Sequence, residues 1–242
     1  MAFLPLGPAL ATDLDDAVRA GNLDRVELLL NSGVDPNKRS PYDGPLHLAA
    51  RLGSLDIVVE LIEAGADVEL LGFGGARPLH AGAMAGHARI ASLLLERGAK
   101  VDALDNTGRT PLLSIVSGSA GDLATLKVLL EHGADPKLLD GPMRIRALDY
   151  AAMQGRADVA DILIAFGADV NAKDNMYGET PLHFAINKYR AGGAQEMVQF
   201  LIDRGADVNA KSAEGWTPLD YAKRFAPNNG LLHDILIKAG AK

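Results

Sequence analysis

The sequence has 242 residues, 48% of them hydrophobic and 23% charged, with a net charge of −7 and no cysteine. That length and composition suit a soluble chain with a sizeable core and argue against intrinsic disorder. The acidic balance argues against a sequence-independent hold on nucleic acid or on an anionic membrane, which needs clustered Lys and Arg, and the absence of cysteine excludes disulfides and thiolate metal sites while leaving the compartment open.

Residues 1–11 read M-A-F-L-P-L-G-P-A-L-A, carry no charge and end in Ala9-Leu10-Ala11. Two readings stay open. One is a disordered tail on a cytoplasmic protein. The other is the back half of a secretory signal, with an apolar core and a small-residue cleavage site but no basic leader, which would make the protein periplasmic or secreted. Further along, no apolar stretch approaches the ~18 residues that a membrane-spanning helix needs.

From Thr12 onward the chain repeats itself. A Gly followed by Ala or Val recurs at Gly33, Gly65, Gly98, Gly133, Gly167, Gly205 and Gly240, in steps of 32, 33, 35, 34, 38 and 35 residues. Each follows an apolar run with helical spacing, such as Ile57, Val58, Leu61 and Ile62. The Gly is placed to end a helix, where a positive φ is required and a side chain is penalised. Asp follows Gly-Ala at Asp67, Asp135, Asp169 and Asp207, which is turn chemistry.

A second signal starts the other helix of each unit. Thr110-Pro111-Leu112, Thr180-Pro181-Leu182-His183 and Thr217-Pro218-Leu219 pair a capping hydroxyl with a proline suited to the first helical turn. Pro45-Leu46-His47 and Pro78-Leu79-His80 keep Pro-Leu-His without the Thr, and Ala147-Leu148-Asp149 keeps only the Leu. Small residues follow (Ala49-Ala50, Ala83, Ala151-Ala152, Ala185, Ala222) and let these short helices pack closely.

Taken together, the T-P-L-H-x-A core, the Gly about 20 residues later and G-A-D-V-N-A resemble the ankyrin repeat, over Thr12 to Lys242. The last element stands at Val170-Asn171-Ala172 and Val208-Asn209-Ala210. The resemblance implies an all-α helical repeat solenoid with β-hairpin-like fingers, forming one domain over residues 12–242. Its units are roughly 12–39, 40–72, 73–105, 106–140, 141–174, 175–212 and 213–242, the first and last being caps. No single unit buries its apolar face alone, so one cooperative array is expected, monomeric on its own. The linkers near 117–121, 188–194 and 225–230 are lengthened and read as surface loops, either tolerated insertions or a rim on one end of the groove. The segment Leu138 to Arg146 lacks the usual Asp and Gly signals, so its finger is expected to be irregular.

The histidines and the glycine-rich run read as structural. His47, His80 and His183 share one place in the repeat, where the resemblance implies a turn-ordering hydrogen bond; metal ligands would have to converge on one point instead. His87 takes a second recurrent place, and His132 and His233 are isolated and expected to be solvated. Gly72-Phe73-Gly74-Gly75 has neither the spacing nor the Lys-Ser/Thr of a phosphate cradle. No catalytic residue, cofactor or metal is expected.

The family's partner surface is made of finger tips and the exposed side of the first helices. At the tips lie Tyr42, Leu71, Phe73, Met143, Met176, Tyr177 and Trp216. On the first helices lie Arg51 and Leu52, Met84, Met153, Asn187 and Lys188, and Arg224 and Phe225. Most are large and apolar, of types enriched at interfaces. The expected partner-binding set is Tyr42, Leu52, Phe73, Met84, Met143, Met153, Met176, Tyr177, Trp216 and Phe225. The function expected is a protein–protein interaction module (scaffold, adaptor or inhibitor) that holds another protein along a concave groove and its fingers. The alternatives are an exported inhibitor that protects against a partner enzyme and, less favoured, a receptor for a small ligand or peptide.

Overall fold

The structure is a computed structural model and describes residues 13–118, 122–141, 143–174, 176–186 and 194–242. The tail 1–11, most of the linkers around 119–121 and 187–193, and the positions Asn187 and Lys188 lie outside the described residues. Two compact units divide the chain, Met1–Ala134 and Asp135–Lys242.

The first unit contains eight α-helices among its described residues: α1 (Asp13–Arg19), α2 (Leu23–Asn31), α3 (Pro45–Leu52), α4 (Leu55–Glu63), α5 (Pro78–Met84), α6 (Ala88–Glu96), α7 (Pro111–Ser117) and α8 (Leu123–Glu131). The second contains six: α9 (Ala147–Gln154), α10 (Ala157–Ala165), α11 (Pro181–Ile186), α12 (Ala194–Asp203), α13 (Pro218–Phe225) and α14 (Gly230–Lys238). Within each unit the helices form two layers. The short first helices pack on one another (α1, α3, α5, α7; α9, α11, α13), and the second helices form the other layer (α2, α4, α6, α8; α10, α12, α14).

The sequence signals act locally as their chemistry dictates. Pro45, Pro78, Pro111 and Pro218 open their helices, where a missing N–H costs nothing. Thr110 Oγ1 accepts from the Leu113 amide at 3.2 Å, and Thr217 Oγ1 from Asp220 at 3.3 Å. Second helices bury residues at i, i+1 and i+4, as with Ile57, Val58 and Leu61 or Val159, Ala160 and Leu163, one stripe facing the core. Each then stops at its Gly, whose φ lies between 87° and 95° at all seven positions. In the second repeat the Gly65 amide donates to Ile62 O at 3.0 Å and the Ala66 amide to Leu61 O at 2.9 Å, which pairs carbonyls left open at the helix end.

Asparagine joins successive repeats. Asn171 Nδ2 donates to Gly205 O at 3.0 Å while its Oδ1 accepts from the Asp207 amide at 2.7 Å. Asn37 makes the same pair with Gly65 and Asp67, and Asn209 with Gly240 and Lys242.

The fingers are turns, not strands. Among the described residues the sole β-type pairing is one antiparallel bridge, Leu139 to Arg146. The finger of Tyr42 closes from Ser40 to Asp43 O at 3.1 Å, and five fingers close on a backbone bond of 2.7–3.0 Å: Gly72 to Ala76 O, Asp105 to Arg109 O, Asp140 to Ile145 O, Asp174 to Glu179 O and Ser212 to Trp216 O. The finger at Leu138 to Arg146 does carry an Asp, Asp140, but its closing bond spans five residues, as does that from Asp174 to Glu179, against four for Gly72, Asp105 and Ser212. The residue before the closing carbonyl has positive φ in these fingers: Gly75 72°, Gly108 73°, Gly178 62° and Gly215 84°. Arg144 stands in that place with φ 53°, the one non-Gly residue with positive φ among those described.

Candidate functional site

The shared histidines are buried and serve the turn. Nδ1 of His47, His80 and His183 accepts the amide N–H of Gly44, Arg77 and Thr180 at 3.2–3.3 Å. That leaves the proton on Nε2, which donates to the carbonyl of the next finger, Ala76, Arg109 or Trp216, at 3.1–3.2 Å. Burial holds all three below the ordinary imidazole pKa, which suits a neutral ring. His233 departs from its expected solvation, since its Nε2 is buried without a hydrogen-bond partner. Among the described residues no group of three or more His, Cys, Asp or Glu is placed to hold a metal ion.

In the first unit, Tyr42 and Phe73 come from successive fingers and meet edge to face, with ring centroids 5.5 Å apart. Asp43 supports the pair: Oδ1 accepts from the Phe73 amide at 3.0 Å, and Oδ2 pairs with Arg51 Nη1 at 2.9 Å. Leu52 and Met84 end α3 and α5 and are exposed.

In the second unit, the other six expected residues gather around one cavity of about 820 Å³. Met143 enters from the finger ahead of α9, Met176 and Tyr177 from the finger ahead of α11, and Trp216 from the finger ahead of α13; Met153 and Phe225 reach it from α9 and α13. Met143, Met176 and Tyr177 are exposed. Met153, Trp216 and Phe225 are half-buried because they wall the cavity. The rings are contiguous: Tyr221 lies edge-on to His183, Trp216 and Phe225, with centroids 4.8, 5.8 and 5.4 Å away. The Arg224 guanidinium sits over Trp216, 4.8 Å from the ring centroid.

Sequence reasoning missed the acidic part of this cavity. Asp174, Glu179 and Glu214 also line it. Asp174 is 5% exposed and Glu179 6%. Asp174 Oδ1 accepts the amides of Met176 (3.0 Å) and Tyr177 (2.6 Å), which folds the finger tip around the carboxylate. The Tyr221 phenol donates to Glu179 Oε1. Burial pushes the Glu179 carboxyl above its ordinary pKa, and the charges of Asp174 and Glu214 add to this. Burial and the Glu179 contact raise the Tyr221 phenol in turn. One available signal was the common place of Asp105, Asp140 and Asp174 in their fingers, visible once the longer fingers are aligned.

This arrangement holds hydrogen bonds, stacks rings and presents apolar surface beside buried carboxylates. Helix pairs in two layers, with finger tips gathered at a lined cavity, define an interaction scaffold. The profile of "Ankyrin repeats (3 copies)" matches residues 14–105, 46–140, 100–174, 117–212 and 148–241, and the chain belongs to the ankyrin-repeat family. It is 33% identical over 120 residues to human ankyrin repeat and SOCS box protein 6, covering 47% of this chain and 27% of that protein. It is 47% identical over 81 residues to human neurogenic locus notch homolog protein 2, covering 33% of this chain and 3% of that one. The matched region thus spans about a quarter or less of these relatives' length. Among solved structures, the ankyrin repeat domain of Bcl-3, a member of the IkappaB protein family, superposes with TM-score 0.79 at 28% identity, covering 93% of this chain and 97% of that one. Ankyrin repeats are protein–protein interaction modules and in general non-enzymatic scaffolds. No helix among the described residues is long and apolar enough to cross a membrane.

Proposed function

We propose that the chain is a protein-binding module that holds a partner protein against its finger tips and first helices, by occlusion or tethering and without covalent chemistry. One observation carries this reading: six residues from three fingers and two first helices meet at a single cavity with large apolar groups on its rim. Interface energy concentrates in a few aromatic and Met or Arg anchors beside a pocket. Tyr42 and Phe73 offer a second apolar contact in the first unit.

The experiment is affinity capture from native lysate with three proteins: the unaltered chain, the Met176→Ala/Tyr177→Ala variant, and Gln199→Lys on the exposed face of α12. Loss of both tip side chains should weaken the captured complex at least about tenfold, about 1.4 kcal/mol, and Gln199→Lys should leave it unchanged. Capture that ignores the tip pair and disappears with Gln199→Lys would move the interface to the second helices.

A further inference from the structure

We propose that the cavity of the second unit takes a basic side chain, an arginine or lysine presented by an extended segment of the partner. The inference rests on the protein-binding reading above and adds the chemistry of what is bound.

Charge comes first. Among the described residues the lining carries Asp174, Glu179 and Glu214 against one cation, Arg224. Asp174 is more than nine-tenths buried. Its Oδ1 is satisfied by two amides of its own finger, but Oδ2 is buried with no hydrogen-bond partner. A buried carboxylate oxygen without a donor is costly, and an occupant that brings N–H donors relieves that cost. Glu179, fed by one phenol, has further lone pairs to offer. An acidic occupant would meet like charge, and a wholly apolar one would desolvate these carboxylates without pairing them.

The walls fit the same occupant. Aliphatic stems of Lys and Arg pack on apolar surface while the head group seeks charge, and Met143, Met153 and Met176 supply such surface. Tyr177, Trp216 and Phe225 present ring faces or edges, and a cation over an aromatic face is attracted to it. Arg224 already lays its guanidinium over Trp216, so this wall accepts a planar cation. Arg224 also opposes an incoming one by its charge.

The test uses host peptides acetyl-Ala-Leu-Xaa-Leu-Ala-Gly-amide with Xaa as Arg, Lys, Met or Glu. Trp216 is the sole tryptophan, so its fluorescence and its indole N–H resonance report the cavity directly. The Arg and Lys peptides should shift these signals and bind at least about tenfold tighter than the Met peptide. Asp174→Asn keeps an acceptor for the finger amides and should lower Arg-peptide binding about tenfold, while Arg224→Gln should raise it several-fold by removing the opposing charge. If Asp174→Asn fails to fold, Glu214→Gln, which alters an exposed carboxylate, should lower binding several-fold. Equal binding of the Met peptide, tighter binding of the Glu peptide, or no response to any peptide at millimolar concentration overturns the proposal. If peptides fail while partner capture still depends on Met176 and Tyr177, the pocket assignment falls and the face stands. If capture is also indifferent to those two residues, both fall.

Discussion

Tyr221, on α13, donates its phenol hydrogen to the carboxylate of Glu179 in the preceding finger, 42 residues earlier in the chain. The bond ties two successive repeats through a buried acid. Tyr221→Phe removes the only donor described for that carboxylate, and orphaning a buried acceptor costs about 1–3 kcal/mol. Thermal unfolding should therefore show a clear loss for Tyr221→Phe and a smaller one for Tyr221→Phe combined with Glu179→Gln. Equal losses in both would mean that the orphaned Glu179 carboxylate is not the source of the effect.

Asp149 occupies the place held by His47, His80 and His183 elsewhere, and it is fully buried. Its Oδ2 caps the helix by accepting from the Arg146 amide at 2.7 Å, while Oδ1 is unpartnered. Burial pushes its pKa up to about 7, and the nearby Arg146 offsets this only in part. The folded state therefore binds a proton more tightly than the unfolded state. Its stabilising effect is present at acid pH and is lost as pH rises from about 4 through about 7. Asp149→Asn keeps the cap without the titration. It should match the unaltered protein near pH 4 and exceed it by up to about 4 kcal/mol at pH 8, given about 1.4 kcal/mol per pKa unit. Parallel stability curves for the two proteins across this range would contradict the assignment.

Arg144 holds a left-handed φ of 53° where other fingers carry Gly108, Gly178 and Gly215. A non-glycine residue there costs about 1–2 kcal/mol. Arg144→Gly should raise the denaturant midpoint, through a stability gain of up to about 1 kcal/mol once the freer unfolded chain is allowed for. Arg144→Ala should not.

The asparagine links make a further prediction. Asn171→Ala leaves the Gly205 carbonyl and the Asp207 amide without this partner, at a cost of about 0.5–1.5 kcal/mol for each bond because both sites are exposed to water. Amide hydrogen exchange should quicken at Asp207 while α9 and α11 remain protected. Uniform exchange over the whole second unit would show that the link is essential to the fold of that unit.

The repeat itself was legible in the sequence because its signals are local. Gly65 and its equivalents and the helix-opening prolines each act within a few residues of their own position, and His47, His80 and His183 each accept from an amide three residues back. The finger at Leu139 to Arg146 was not, because one extra residue shifts Asp140 out of the register set by Asp105. The cavity was legible only in its apolar part. Met143, Met176 and Tyr177 announced themselves as large side chains at turn positions. Asp174 and Glu179 did not, since a finger carboxylate is expected in water. Their burial depends on Tyr221, Trp216 and Phe225 of the following repeat, which no local pattern records. For the same reason Trp216 reads as an exposed tip from sequence but stands half-buried against Tyr221 and Arg224.

The proposed partner protein lies against the fingers of the second unit. Site-specific photo-cross-linking in the native cell tests this placement most directly, with benzoylphenylalanine placed at Tyr177 or, separately, at Gln199. Both positions are exposed, and neither substitution should disturb the core. A discrete covalent adduct with one protein is expected from position 177, absent at 199 and lost when Asp174→Asn or Met176→Ala is added. An adduct formed only from position 199, or none from 177 in cells that contain the full complement of native proteins, would contradict it.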